Sequence, residues 1–165
     1  FGFKVVIVGG SESFQIANIL AENNIPVIIS NQHALPSTED DDVDQPYKLP
    51  AQLSKAGVLF ALNDEADKAK HMNISFNAGT AAAYGLTRAQ ALTALTLNTA
   101  KILGIEEKTG SIEIGKDANI IISNGDILDM RGNAVTNAFI QGRAISLDNK
   151  QKQLNERYKA KYKIN

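Results

Sequence analysis

Three short runs of apolar, largely β-branched residues constrain this chain most: Val5-Val6-Ile7-Val8, Val27-Ile28-Ile29 and Val58-Leu59-Phe60-Ala61-Leu62. A strand with one wet face alternates apolar and polar residues, whereas a continuous apolar run is buried on both faces. Pro26 opens the second run, where proline does least harm to a ladder. Helical patterns lie between the runs. Ser11 or Ser13 caps one that reaches Asn23, with Phe14, Ala17, Ile19 and Leu20 on its apolar side. Pro46, Leu49, Leu53 and Ala56 mark a shorter one that ends at Gly57. This alternation predicts an α/β fold with a parallel sheet covered on both faces. In such folds the chemistry collects at the C-terminal ends of the strands. Here those ends are Gly9-Gly10-Ser11, Ser30-Asn31-Gln32-His33 and Asn63-Asp64.

The remainder has a different character. From Asn77 to Leu103 the pattern is helical and rich in alanine, with Ala78, Ala81, Ala82, Leu92, Leu95, Ala100 and Leu103 supplying apolar faces. Thr87 is a good N-cap, and Gly85 and Gly104 suit helix C-termini. Ser111-Ile112-Glu113-Ile114 alternates with period two, predicting a half-exposed strand, and Ala118 to Ser123 predicts a buried one. Ala138 to Arg143 ends in a hairpin-like glycine turn at Gly142. Leu154, Tyr158 and Tyr162 recur every fourth residue in the lysine-rich end, the pattern of a helix packed on the rest of the fold.

Composition then removes several function classes. Seventeen basic and eighteen acidic side chains leave a formal charge of -1, which gives no reason to expect a nucleic-acid or anionic-membrane partner. No apolar run approaches the ~20 residues that span a bilayer. With no cysteine there is no disulfide, thiolate metal site or cysteine nucleophile, and compartment is left open. Length suggests one domain, or one with a small appendage.

Several stretches carry a resemblance. They are Gly85-Leu86-Thr87-Arg88-Ala89-Gln90-Ala91-Leu92, Thr96-Leu97-Asn98-Thr99-Ala100-Lys101-Ile102-Leu103-Gly104, Gly110-Ser111-Ile112-Glu113-Ile114-Gly115-Lys116-Asp117-Ala118-Asn119 and Phe139-Ile140-Gln141-Gly142-Arg143. In this order they resemble the C-terminal region of the amidohydrolase superfamily, nearest its imidazolonepropionase-like enzymes. The resemblance implies the C-terminal portion of a (β/α)8 TIM-type barrel plus the C-terminal strands of a small β-sandwich. Residues 1–104 would be partial barrel, 105–147 sandwich segment and 148–165 a helical tail. The apolar runs at Val5, Val27 and Val58 would be the sixth, seventh and eighth barrel strands. A whole barrel needs about 200 residues or more, so the chain, which opens inside a strand at Phe1, reads as part of a larger enzyme.

The resemblance also implies the chemistry. In that family a divalent metal, typically zinc, sits at the barrel mouth and activates water for attack on a non-peptide or cyclic amide C–N bond. Its ligands are a His-x-His pair after the first strand, histidines after the fifth and sixth, and an aspartate after the eighth that is also general base. Asp64 matches that aspartate as catalytic base and metal ligand, with Asp67 a poor substitute. Asn63 and His33, at strand ends on the mouth side, are candidate substrate contacts. No histidine stands near Gly9-Gly10-Ser11, where the sixth-strand ligand belongs, and His71 in Lys68-Ala69-Lys70-His71 reads as exposed. With only His33 and His71 and no His-x-His pair, the segment alone is expected to hold no tight metal and to be inactive. The expected partners are a small-molecule substrate and either the missing N-terminal part of the protein or another copy, covering strand edges near Val5.

Competing readings have less support. A degenerate, non-catalytic scaffold fits the missing histidines. The acidic Glu39-to-Asp44 stretch lacks the spacing and glycine of an EF-hand and reads as a solvated loop. Gly9-Gly10 fits a phosphate cradle only in part, and Ser11 lacks a nucleophile-elbow frame.

Overall fold

The apolar runs pair as a parallel sheet in a computed structural model that describes residues 2–30, 32–36, 38–64 and 70–163, without the side chains of Lys70 and His71. Strands β1 (Ile7–Gly9), β2 (Val27–Ile29) and β3 (Phe60–Leu62) lie in that order, with Ile7 opposite Val27 and Val27 opposite Phe60. The crossovers are helical: a 3-10 turn (Ser13–Ile16) running into α1 (Ala17–Glu22), then α2 (Gln45–Lys55). A second 3-10 turn (Lys70–Asn73) leads to α3 (Ile74–Ala83), α4 (Arg88–Leu95) and α5 (Leu97–Leu103). An antiparallel sheet follows from β4 (Ile120–Ser123), β5 (Val135–Ile140) and β6 (Arg143–Ala144), and then α6 (Lys150–Tyr162). Among the described residues no helix is long and apolar enough to cross a membrane.

Local chemistry sets several boundaries. At the end of α2, the Gly57 and Val58 N–H groups donate back to Ser54 and Leu53 carbonyls, with Gly57 at φ +80°, a conformation that costs a glycine little. Thr87 and Gln90 form a reciprocal capping box at the start of α4, as Thr87 predicts. Gln141 (φ 50°) and Gly142 (φ 75°) turn β5 into β6 as a tight hairpin.

The core lies between the parallel sheet and helices α1 to α4. Val27, Ile29, Phe60 and Leu62 meet Leu20, Leu49, Leu53, Ala78, Ala81, Ala91 and Ala94 there. Alanines let α3 and α4 approach closely, and Leu128 from the segment before β5 joins the same cluster. Gly79 shows how tight that junction is. A Cβ added there would sit 2.2 Å from the Leu128 carbonyl oxygen.

Several expectations fail, each for a physical reason. The first run is not a fully buried strand: β1 begins at Ile7, Val8 is 59% exposed, and among the described residues β2 is its one neighbour. No serine caps the first helix, because Ser13 is buried inside the opening 3-10 turn; Ile19 lies 57% exposed outside the predicted apolar face. The stretch 77–103 breaks into three helices, with Leu92 and Leu103 facing out. Ile112 and Ile114 form no strand, because no ladder partner stands beside them among the described residues. Lys116 instead ties Ser111 and Glu113 into a turn, and these two contacts hold the Glu113 carboxyl below its ordinary range, the Ser111 hydroxyl contributing most. β4 is not buried, since Ile121 and Ile122 face outward. α6 buries no residue: Tyr158 and Tyr162 stack on each other, ring centroids 6.3 Å apart, instead of packing on the fold.

Candidate functional site

The C-terminal ends of the parallel strands carry the polar residues named from the sequence. The Asn63 N–H donates to the Ile29 carbonyl at 2.8 Å, continuing the ladder past β3 and fixing where the next residue starts. That residue, Asp64, is 7% exposed. Its Oδ2 accepts from Asn77 Nδ2 on α3 at 3.5 Å, and no cation pairs with it among the described residues. A buried carboxylate with one long hydrogen bond keeps acceptor capacity free, as a group that takes up a proton needs. Asn63 is half-buried, with its backbone engaged.

His33 sits on the loop after β2 and is exposed. Its Nε2 lies 2.8 Å from Thr80 Oγ1, and that hydroxyl donates to the Phe76 carbonyl at 3.1 Å. When the Thr80 proton lies on the Phe76 carbonyl, His33 donates from Nε2–H and Nδ1 is the unprotonated nitrogen of the neutral ring. The ring also meets Tyr47 edge-on, centroids 5.9 Å apart. Asn77 and Thr80 stand three residues apart on α3 and therefore share a face. One helix face thus ties the loop after β2 to the loop after β3. No hydrogen bond or ion pair joins His33 to Asp64 directly among the described residues.

Asn77 and Thr80 escaped the sequence reading, as did Gln32, which is buried beside the β1 and β2 ends. A polar residue on the apolar side of an alanine-rich helix was the available signal for Asn77. Other candidates separate. Asp67, Lys68 and Ala69 lie outside the described residues, as does the His71 side chain. The acidic loop is engaged with Lys48, whose Nζ lies 2.5 Å from Asp42 and 2.6 Å from Asp44. These contacts push Lys48 up to about 12, Asp42 contributing most, and hold Asp42 below the ordinary carboxylate range. Gly9-Gly10 makes no phosphate cradle, because α1 starts only at Ala17. Ser11 is exposed with no histidine bonded to it among the described residues.

Among the described residues no three His, Asp or Glu side chains converge. Catalytic zinc takes three protein ligands and an open position. Among the described residues, Asp64 by itself does not fill that requirement.

The sequence matches the Amidohydrolase family over residues 9–145. It is 30% identical over 115 residues to an imidazolonepropionase of Thermoplasma volcanium, covering 70% of this chain and 21% of that enzyme. A second imidazolonepropionase, from Shewanella oneidensis, is 51% identical over 41 residues, covering 25% of this chain and 10% of that one. The crystal structure of an amidohydrolase from Thermotoga maritima superposes with a TM-score of 0.77 at 34% identity, covering 88% of this chain and 37% of that one. The chain therefore has the fold of part of such a protein: part of a TIM-type barrel with an antiparallel sheet beside it.

Proposed function

The chain belongs to the amidohydrolase family, and from that premise we propose that it is the C-terminal portion of an enzyme hydrolysing a non-peptide or cyclic amide C–N bond. Asp64 is its general base, and β1, β2 and β3 are the last three barrel strands. The antiparallel sheet is this chain's share of a sandwich. Residues 1–104, 105–147 and 148–165 are the barrel, sandwich and tail portions. The observation that carries the reading is Asp64 itself, buried at the C-terminal end of β3 with Asn77 as its donor and no cation beside it among the described residues.

In this scheme Asp64 takes a proton from the attacking water as its oxygen bonds to the amide carbon. It returns that proton to the nitrogen as the C–N bond breaks, so the carboxylate is regenerated. Asn77 orients the carboxylate, and Asn63 and His33 contact the substrate from the same mouth. The family resemblance implies a divalent metal in the whole protein. Among the described residues the chain offers one carboxylate, Asp64, toward it. The segment alone is accordingly expected to be inactive.

The alternative, a scaffold that has lost catalysis, draws on the same incomplete donor set. A screen of the intact protein against lactams, imidazolones and hydantoins separates the two. Hydrolysis that falls in Asp64→Ala and is partly restored by added formate, a small diffusible carboxylate, supports the enzyme. No hydrolysis, with no bound metal, supports the scaffold.

A further inference from the structure

The chain between β4 and β5 folds back on itself. The Asn124 N–H donates to the Ala134 carbonyl at 2.9 Å, and Gly125 lies so close to the Gly132 carbonyl that a Cβ has no room. Inside, the Arg131 N–H donates to Asp129 Oδ1 and the Asn133 N–H to the Asp129 carbonyl, each at 2.9 Å. A loop with joined ends and internal bonds holds its own shape, and such Ω-loops often carry function. Leu128 is its buried side chain, 4% exposed, in the same apolar cluster as Ala78 and Ala81 of α3 and Ala91 and Ala94 of α4. One carboxylate ties the loop down: Asp126 Oδ1 accepts from the Leu128 N–H at 2.9 Å, and Oδ2 pairs with Arg88 at the start of α4.

The loop bears on α3. Asn73 gives that helix no side-chain cap, and Gly79 sits in its interior, where glycine costs stability. The glycine is needed there because the Leu128 carbonyl occupies the space of a Cβ. At ~100° per residue, Gly79 lies about 160° round the helix from Asn77 and about 100° from Thr80. The loop therefore backs α3 from one side while Asn77 and Thr80 reach Asp64 and His33 from the other. Close-packed interiors pass a displacement on instead of absorbing it. The Asn77–Asp64 bond, at 3.5 Å, stands at the outer limit for a hydrogen bond, so a retreat of α3 by ~0.5 Å removes it.

We propose that residues 124–134 are a positioning element for the mouth, in which Leu128 and Asp126 set the place of α3 and, through it, of Asp64 and His33. The effect on turnover rests on Asp64 as general base; the hold on His33 does not.

The test compares Leu128→Ala, Leu128→Met and Asp126→Asn in the intact protein, with Leu20→Ala as a core truncation on α1. Each is read by Tm, by kcat and KM on the cyclic amide that the wild type hydrolyses, and by the 15N-imidazole signals of His33. Leu128→Ala should lower kcat ~10-fold with KM within about twofold, and should mix the His33 tautomers. Leu128→Met, close in volume, should restore both. Asp126→Asn keeps an acceptor for the Leu128 N–H and loses the Arg88 pair, so it should move the His33 signals in the same direction. Leu20→Ala should lower Tm alone. A lower Tm in Leu128→Ala with kcat and His33 signals at wild-type values overturns the proposal, as does a Leu20→Ala that changes them equally. Where Leu128→Ala does not fold, unchanged His33 signals in Asp126→Asn overturn it too. Mixed His33 tautomers with kcat unchanged uphold the loop's hold on α3 and remove Asp64 from the catalysis.

Discussion

Asn77 Nδ2 reaches Asp64 Oδ2 across 3.5 Å, so the carboxylate two residues past β3 is held by a side chain on the face of α3 that also carries Thr80. The two loops at the mouth of the parallel sheet therefore share one support.

Removing that support should weaken fold and chemistry together. Asn77→Ala is expected to destabilise the protein by ~1 kcal/mol, the ordinary value of one hydrogen bond, in urea titrations. In the intact protein it should lower kcat more than it raises KM, because Asn77 orients Asp64 and does not touch the substrate. A change confined to KM would contradict that role.

Thr80 should fix the His33 tautomer. With two histidines in the sequence, 15N-imidazole spectra are simple to assign. The neutral His33 ring should carry its proton on Nε2, keep it there in Thr80→Ser, and show both tautomers in Thr80→Val.

Gly79 should tolerate no side chain. The Leu128 carbonyl leaves no room for a Cβ, so Gly79→Ala must push the helix and the segment before β5 apart. The expected cost is ~1–3 kcal/mol, read as a fall of several degrees in Tm.

The Lys48 contacts give a pH dependence of defined sign. Asp42 is depressed in the folded chain, so its contribution is present above its ordinary value of 3.8 and is lost as pH falls through the lower folded value. Lys48 is raised from 10.5 to about 12, so its contribution is full below 10.5 and disappears as pH climbs through about 12. Lys48→Met should lower Tm slightly at pH 7 and leave it unchanged near pH 2. The effect is small because the pair is exposed.

How much was legible depends on whether a residue's partner could be read as well as the residue. The continuous runs at Val27 and Phe60 were readable because burial on both faces leaves no polar alternation. Thr87 with Gln90, and Gln141 with Gly142, were readable because cap and turn are satisfied within a few residues. Ile112 and Ile114 misled because alternation states which face is wet and not whether a neighbouring strand exists. Val8 misled for the same reason, as a run built for two covered faces that meets one neighbour among the described residues. The position of Asp64 just past β3 was readable from the apolar run before it. Asn77 and Gln32 were not, because their meaning lies in what they face across the fold: a carboxylate for one, and nothing among the described residues for the other.

The Val8 edge tests whether more barrel stands beside β1. Ile7 N–H donates toward β2, at the Pro26 carbonyl, so the Val8 N–H points to the open side. Its hydrogen exchange should be fast in this chain alone and at least ~100-fold slower in the intact protein, where another strand or another copy covers it. Equal rates would remove the covering partner from the account.

The most direct measurement is kcat of the intact protein with Asp64→Asn, on whichever cyclic amide the wild type hydrolyses and with folding checked by Tm. A general base at this position predicts a fall of ~100-fold or more with Tm little changed. Turnover within about threefold of wild type, the size of an incidental perturbation, would contradict it.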